Sequence, residues 1–222
     1  LGIACWPGHA ADADGLLNRA EIAMYAAKRT LSVVQMYDPA LDSSSAQTLT
    51  LLGDLRRAVE QDELRLFLQP KVALQGHHTL AAEALVRWQH PQRGLVPPMQ
   101  FIPFAEQTGF VRQLTLWVFE AAARWQAQPQ ARALGVRVSV NLSTRDLLDP
   151  DLSHRLDDIL QRHGVAATAF SLEITESAIM DDPQRAEAML NRLAQQGFRL
   201  SIDDFGPGYS SLAYLRRLPV QE

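Results

Sequence analysis

Arg199-Leu200-Ser201-Ile202-Asp203-Asp204-Phe205-Gly206-Pro207-Gly208-Tyr209-Ser210-Ser211 shows the chain's plan most plainly. A short run of alternating apolar residues ends in two adjacent aspartates. A Gly-Pro-Gly turn follows, and two serines then open a helix. This is a strand that delivers carboxylates to a loop at its C-terminal end, where open α/β sheets and α/β barrels both place their chemistry.

Earlier segments repeat the design. The alternation predicts strands at Leu64–Gln69, Leu80–Arg87, Val136–Asn141, Phe170–Ile174 and Phe198–Asp203. Helices are expected at Leu51–Gln61, Phe110–Gln128, Leu152–His163, Pro183–Gln196 and Ser211–Arg217. Asp182 marks an N-cap, Pro183 a first helical position and Gly197 a C-terminal stop. Strands alternating with helices imply a parallel sheet or a barrel.

Residues two apart on a strand share a face. Val138 and Val140, Leu172 and Ile174, and Leu200 and Ile202 form aliphatic faces suited to covering helices. The opposite faces carry a small residue and then an oxygen-bearing one. Pointed into a barrel, Ala81, Ser139, Ser171 and Ser201 form one layer. Glu83, Asn141, Glu173 and Asp203 form the next layer, nearer the mouth. Carboxylates converging in a partly buried site repel one another. A hard divalent cation resolves that conflict, and all-oxygen ligands suit Mg²⁺, Mn²⁺ or Ca²⁺. Asp204 can reach a second ion, and paired metals are a recurring solution for phosphate-ester hydrolysis. The competing reading is an ordinary half-buried sheet whose polar faces meet solvent.

Three further residues have two readings each. Arg87, at i+4 from Glu83, either holds a phosphate or is a surface charge at a strand end. Gln69, just before Pro70, either bonds a ligand or caps a turn. Glu176 either orders the Gly206-Pro207-Gly208 loop or serves a helix cap. His77, His78, His90, His154 and His163 lack metal-ligand spacing and read as structural or solvated.

The chain has 222 residues, a net charge of −4 and a single cysteine, Cys5. With no basic block, composition gives no reason to expect a nucleic-acid polymer or a membrane surface as partner. No apolar run approaches the roughly 20 residues of a membrane span. The first stretch reads differently from the rest. Leu1–Pro7 and Val33–Tyr37 suggest strands flanking a helix Gly15–Arg29, which is capped by Asp14 and has Leu17, Ala20, Met24 and Ala27 on one face. Such a unit is too small to hold a core alone. Residues 39–50, with Pro39 and Ser43-Ser44-Ser45, are the best linker.

At Glu83-Ala84-Leu85-Val86-Arg87-Trp88 the sequence resembles the EAL-domain family of cyclic di-GMP phosphodiesterases. The likeness continues, in order, through Gln69-Pro70, His90-Pro91, Phe101-Ile102-Pro103, Ala105-Glu106 and Val140-Asn141-Leu142-Ser143. It then runs through Leu172-Glu173-Ile174-Thr175-Glu176-Ser177 and Ile202-Asp203-Asp204-Phe205-Gly206. It covers about residues 51–222. Arg19 to Lys28 looks like the C-terminal end of a GGDEF (diguanylate cyclase-type) domain, which would make residues 1–38 its remnant.

The resemblance implies an incomplete TIM-like barrel with its first strand antiparallel. It implies two Mg²⁺ or Mn²⁺ ions held by Glu83, Asn141, Glu173, Asp203 and Asp204, with Asp204 serving the second metal or its water. Gln69, Leu85 and Arg87 would contact cyclic di-GMP, and Glu176 would hold the loop that begins at Phe205. The implied reaction cuts one phosphodiester to give pGpG; the alternative is a receptor that binds without turnover. A cytoplasmic location and a homodimer through the EAL domain are further expectations. Pro207 stands where the family usually has Thr, and the family's later lysine lies beyond Glu222. Little or no activity is therefore expected of residues 1–222 alone.

Overall fold

The computed structural model describes residues 1–29, 33–39, 41, 51, 53–74, 79–203 and 217–221. The expected linker, apart from Pro39 and Leu41, and nearly all of the expected helix Ser211–Arg217 lie outside these residues. So does the stretch from Asp204 to Ser210. The chain forms two compact units, Leu1–Glu60 and Gln61–Glu222.

In the first unit, β1 (Gly2–Ile3) and β2 (Gln35–Met36) form a two-stranded parallel pair beside α1 (Ala13–Arg29). Both strands are shorter than expected. The helix begins earlier than Gly15, because Asp12 is the cap: its Oδ1 accepts from Gly15 N at 2.7 Å. The buried stripe of α1 is Ala23, Ala26 and Ala27, whereas Leu17 faces outward. Gly2 lies so close to α1 that a Cβ would sit 2.0 Å from the Ala20 carbonyl oxygen. α2, spanning 53–60, buries Leu55 and Ala58.

The second unit is built on one mixed sheet. Its strands are β3 (Leu64–Val72), β4 (Thr79–His90), β5 (Gly94–Val96), β6 (Arg137–Leu142), β7 (Phe170–Thr175) and β8 (Arg199–Asp203). Among the described residues the order is β3-β4-β6-β7-β8, with β5 pairing β4 off this path. β3 runs antiparallel to β4, whereas β4, β6, β7 and β8 are parallel. The helices are α3 (Pro98–Thr108), α4 (Val111–Gln126), α5 (Pro129–Leu134), α6 (Thr144–Leu147), α7 (Leu152–His163), α8 (Glu176–Met180) and α9 (Pro183–Gln195). No helix among the described residues is long and apolar enough to cross a membrane.

Three differences from the sequence reading have physical causes. β3 does not end at Gln69 but carries Pro70 within it, opposite Ala82. A proline is tolerated there because β3 is an edge strand among the described residues, so a missing N–H costs no ladder bond on the open side. β4 runs on to His90 and turns back as β5, its turn held by Gln92 N and Arg93 N donating to His90 Nδ1 at 3.1 and 3.2 Å. Residues 98–108 are helical despite Pro103: Pro98 occupies the first turn, where its absent N–H is harmless, and Gly109 closes the end at φ 76°.

The core lies between the aliphatic sheet face and the helices. Val138, Val140, Leu172, Ile174 and Leu200 are buried as expected. Phe119 of α4 stacks on Phe170 and Phe198, at 4.8 and 5.8 Å between ring centroids. α9 starts as the sequence indicated, with Asp182 Oδ1 accepting from Arg185 N at 3.2 Å.

Candidate active site

The opposite sheet face is polar and, at depth, buried. Ser139, Ser171, Ser201 and Glu173 are each no more than 7% exposed. A solvent-washed sheet face would not bury them, so the half-buried-sheet reading fails at this depth. Toward the strand ends burial falls away: Asn141 and Asp203 are exposed and Glu83 is intermediate.

Strand register fixes who meets whom. Glu83 pairs with Ser139, Asn141 with Glu173, Glu173 with Ser201, and Asp203 with Thr175. The expected layers therefore follow the register directly between β6 and β7 and step by two residues between β4 and β6 and between β7 and β8, a stagger of the kind tilted barrel strands require. Two contacts follow those steps. Asn141 Nδ2 donates to Glu83 Oε1 at 2.9 Å. Ser171 Oγ and Ser201 Oγ lie 3.4 Å apart.

β3 enters from the opposite direction. Its Gln69 stands opposite Glu83, Phe67 opposite Leu85 and Arg65 opposite Arg87. The Arg87 guanidinium lies over the Phe67 ring at 5.8 Å and donates to the Val86 carbonyl at 3.0 Å. Arg65 is engaged elsewhere, donating to the carbonyls of Asp62 and Leu64. The next inward residue of β3 is Lys71, which the sequence reading passed over. Its Nζ donates to Ser139 Oγ at 3.3 Å and forms a close ion pair with Glu173 Oε1. A lysine after a proline reads as a solvated charge. The signal that finds it is the antiparallel register, which sets Lys71 opposite Ala81.

A cavity of about 770 Å³ opens at this end of the sheet, with Leu85, Arg87, Asn141 and Asp203 on its wall. Glu83, Glu173 and Gln69 are not on its wall. Glu106 of α3 and Arg145 of α6 also line it. Burial raises the Glu106 pKa, and the nearby Asp146 carboxylate raises it further.

The loop after Asn141 is pinned by Asp146. Its Oδ2 accepts from Ser143 N at 2.8 Å, Ser143 Oγ at 2.6 Å and Thr115 Oγ1 at 3.0 Å. Its Oδ1 is buried with no hydrogen-bond partner among the described residues. Burial holds this carboxyl above its ordinary pKa, against the hydrogen bonds from Ser143 and Thr115 and the charge of Arg112. Glu176 is buried as the first residue of α8, behind the Thr175 cap, whose Oγ1 accepts from Ala178 N at 3.3 Å.

The donor set suits a hard cation in chemistry: carboxylate and amide oxygens on one face, with the Asn141 amide already hydrogen-bonded to Glu83. Among the described residues, no three acidic or histidine groups converge on one point. Glu173 is instead drawn to Lys71. Asp204 lies outside the described residues.

Comparison with known proteins gives the same direction. The EAL domain family matches residues 52–222. The cyclic di-GMP phosphodiesterase PdeR of Escherichia coli (strain K12) is 35% identical over 221 residues, spanning 99% of this chain and 33% of its own length. The bifunctional diguanylate cyclase/cyclic di-GMP phosphodiesterase MucR of Pseudomonas aeruginosa is 38% identical over 227 residues, spanning 100% of this chain and 33% of its own. This chain thus spans about a third of the length of these curated relatives. Among solved structures, the PaMucR phosphodiesterase in complex with c-di-GMP aligns at TM-score 0.73 and 41% identity, covering 78% of this chain and 70% of that one. The FimX EAL domain from Pseudomonas aeruginosa bound to c-di-GMP aligns at TM-score 0.69 and 26% identity, covering 77% and 69%.

Proposed function

The chain belongs to the EAL-domain family, and we propose that its second unit serves to hydrolyse cyclic di-GMP to pGpG in bacterial signalling. The observation that carries this reading is the Glu83–Asn141 contact beside the buried Glu173, on a face that ends at a cavity lined by Asn141, Asp203 and Arg87.

Glu83, Asn141, Glu173, Asp203 and Asp204 would hold two Mg²⁺ or Mn²⁺ ions. When bound, such ions lower the pKa of water and stabilise charge on phosphate oxygens. The chain's own residues do the rest. Asn141 and Glu83 fix each other's orientation through their hydrogen bond. Arg87, braced against Phe67, presents a fixed guanidinium for a phosphate oxygen. Leu85 supplies an apolar wall for a guanine base, and Gln69, opposite Glu83, a polar edge for the same ligand. Glu176, buried at the start of α8, would hold the loop that begins at Phe205.

Residues 1–38 read as the C-terminal end of a GGDEF domain joined through 39–50. The Arg19–Lys28 stretch and the full-length coverage by a bifunctional cyclase/phosphodiesterase relative support this. A cytoplasmic homodimer completes the proposal. The test is chromatography of the full-length protein incubated with Mg²⁺ and cyclic di-GMP. Accumulation of pGpG is expected. Tight binding of the intact dinucleotide without turnover would replace this reading by a receptor role.

A further inference from the structure

Lys71 stands where no surface charge should be. It lies in the register row of Ala81, one step deeper than Gln69 and Glu83. Beside it the inward face carries small side chains, Ala81 across the register and Ser139 within hydrogen-bond reach, which leave room for a four-carbon stem. The ammonium reaches Ser139 Oγ at 3.3 Å and closes on Glu173 Oε1. Glu173 is the most buried of the described candidate ligands: its side chain is 8% exposed, against 40% for Lys71. A buried carboxylate without a counter-charge is costly. In the metal-free fold, Lys71 supplies that charge.

The choice of lysine matters. An ammonium is a compact, strongly hydrated point charge on a flexible stem. Because Lys71 is partly exposed, its head can return to water while the stem stays packed. A divalent cation and the ammonium cannot both sit against Glu173 without repulsion. We infer that Lys71 is a stand-in cation: it holds Glu173 in the metal-free site, cedes the carboxylate when a divalent ion binds, and so sets the site's metal affinity. The inference rests on the reading of Glu173 as a metal ligand. Lys71 acts through Glu173 and is a positioning residue.

The experiment is calorimetric titration of the full-length protein with Mn²⁺ alone at fixed ionic strength. Wild type, Lys71→Met, Lys71→Arg and Glu173→Gln are compared. Lys71→Met should bind Mn²⁺ tighter by about tenfold or more, since a competing charge is gone. Lys71→Arg, which keeps the charge, should stay near wild type. In melting experiments Lys71→Met should lose stability without metal, and saturating Mn²⁺ should close the gap. Unchanged or weaker Mn²⁺ binding by Lys71→Met, beside loss of binding in Glu173→Gln, overturns the Lys71 role alone. Wild-type binding by Glu173→Gln overturns the ligand reading itself. If Lys71→Met does not fold, ¹⁵N resonances of the lysine ammonium groups, assigned by their loss in Lys71→Arg, give the answer. The Lys71 signal must change on saturation with Mg²⁺, and a signal that persists unaltered refutes the exchange.

Discussion

Asn141 donates to Glu83 at 2.9 Å although the two are not register partners; Glu83 pairs with Ser139. A two-residue stagger between β4 and β6 brings them together. An equal stagger between β7 and β8, where Ser171 pairs with Arg199, lets Ser171 meet Ser201 one row deeper. The polar rows of this sheet therefore step across the register at both β4–β6 and β7–β8 and run along it at β6–β7, and the row of candidate metal ligands is one of them.

If that row holds metal, its carboxylates are not interchangeable with neutral groups. Loss of outer-shell partners typically costs about 10–100-fold in affinity or activity, and direct ligands should cost more. Glu83→Ala and Asp203→Ala in the full-length protein should each lower kcat/KM for cyclic di-GMP by about a hundredfold or more. The measurement is pGpG formation at saturating Mg²⁺. A near-normal rate in either variant would remove that residue from the ligand set.

Arg87 should behave differently. It lines the cavity and is braced by Phe67, but it sits beyond the ligand row. Its hydrogen bonds would go to substrate. A charge-assisted bond is worth about 1.5–3 kcal/mol, so Arg87→Ala should raise KM by roughly 10- to 150-fold with a smaller change in kcat. Mn²⁺ binding measured without substrate should not change. A weakened metal affinity in this variant would place Arg87 in the metal site.

Much of this was legible in the sequence because strand alternation carries the information. Val138-Ser139-Val140-Asn141 shows which residue goes to the helices and which goes inward: Val138, Val140 and Ser139 are buried, and Asn141 is exposed at the strand end. What was missed depends on partners far along the chain. Pro70 hid the continuation of β3, because a proline's tolerance depends on whether the strand is an edge. Lys71 was hidden with it, since only the pairing with Ala81 turns it inward. Pro97, Pro98 and Pro103 concealed α3, although a proline in the first turn favours a helix. Asp14 reads as the cap in the sequence, but Asp12 fits the same residue pattern, and it is Asp12 that accepts from the Gly15 N–H.

The hydrophobic side of the sheet has its own anchor. Phe119 is fully buried and stacks on Phe170 of β7 and on Phe198, the residue before β8. It joins α4 to the two strands that carry Glu173 and Asp203. Truncation removes the transfer energy, leaves a cavity and breaks two aromatic contacts. Phe119→Ala should cost about 3–5 kcal/mol, read as a lower urea midpoint with an unchanged slope. A loss below about 1 kcal/mol would mean that the site can collapse around the gap, contrary to its packing.

Asp146 gives a prediction in pH. It is 1% exposed, and burial holds its carboxyl above the ordinary value of 3.8 despite its hydrogen bonds and Arg112. An acid with a raised folded-state pKa binds more protons folded than unfolded within the window that opens near 3.8. Its stabilising contribution is therefore fully present below the unfolded-state pKa and is lost as pH rises through the folded one. Asp146→Asn removes this titration. At any pH the variant bears the cost of burying an amide where Oδ1 has no partner among the described residues, about 1–3 kcal/mol. That cost is constant, so the pH dependence of the difference isolates the ionisation. The stability of wild type minus that of Asp146→Asn should fall as pH rises above the ordinary carboxylate value of 3.8. Glu106 contributes with the same sign, because its pKa is raised first by burial and then by the Asp146 charge, which the variant removes. Urea denaturation of both proteins across this range checks it. A flat difference would show that Asp146 is as well solvated, or as well paired, in the folded chain as in the unfolded one.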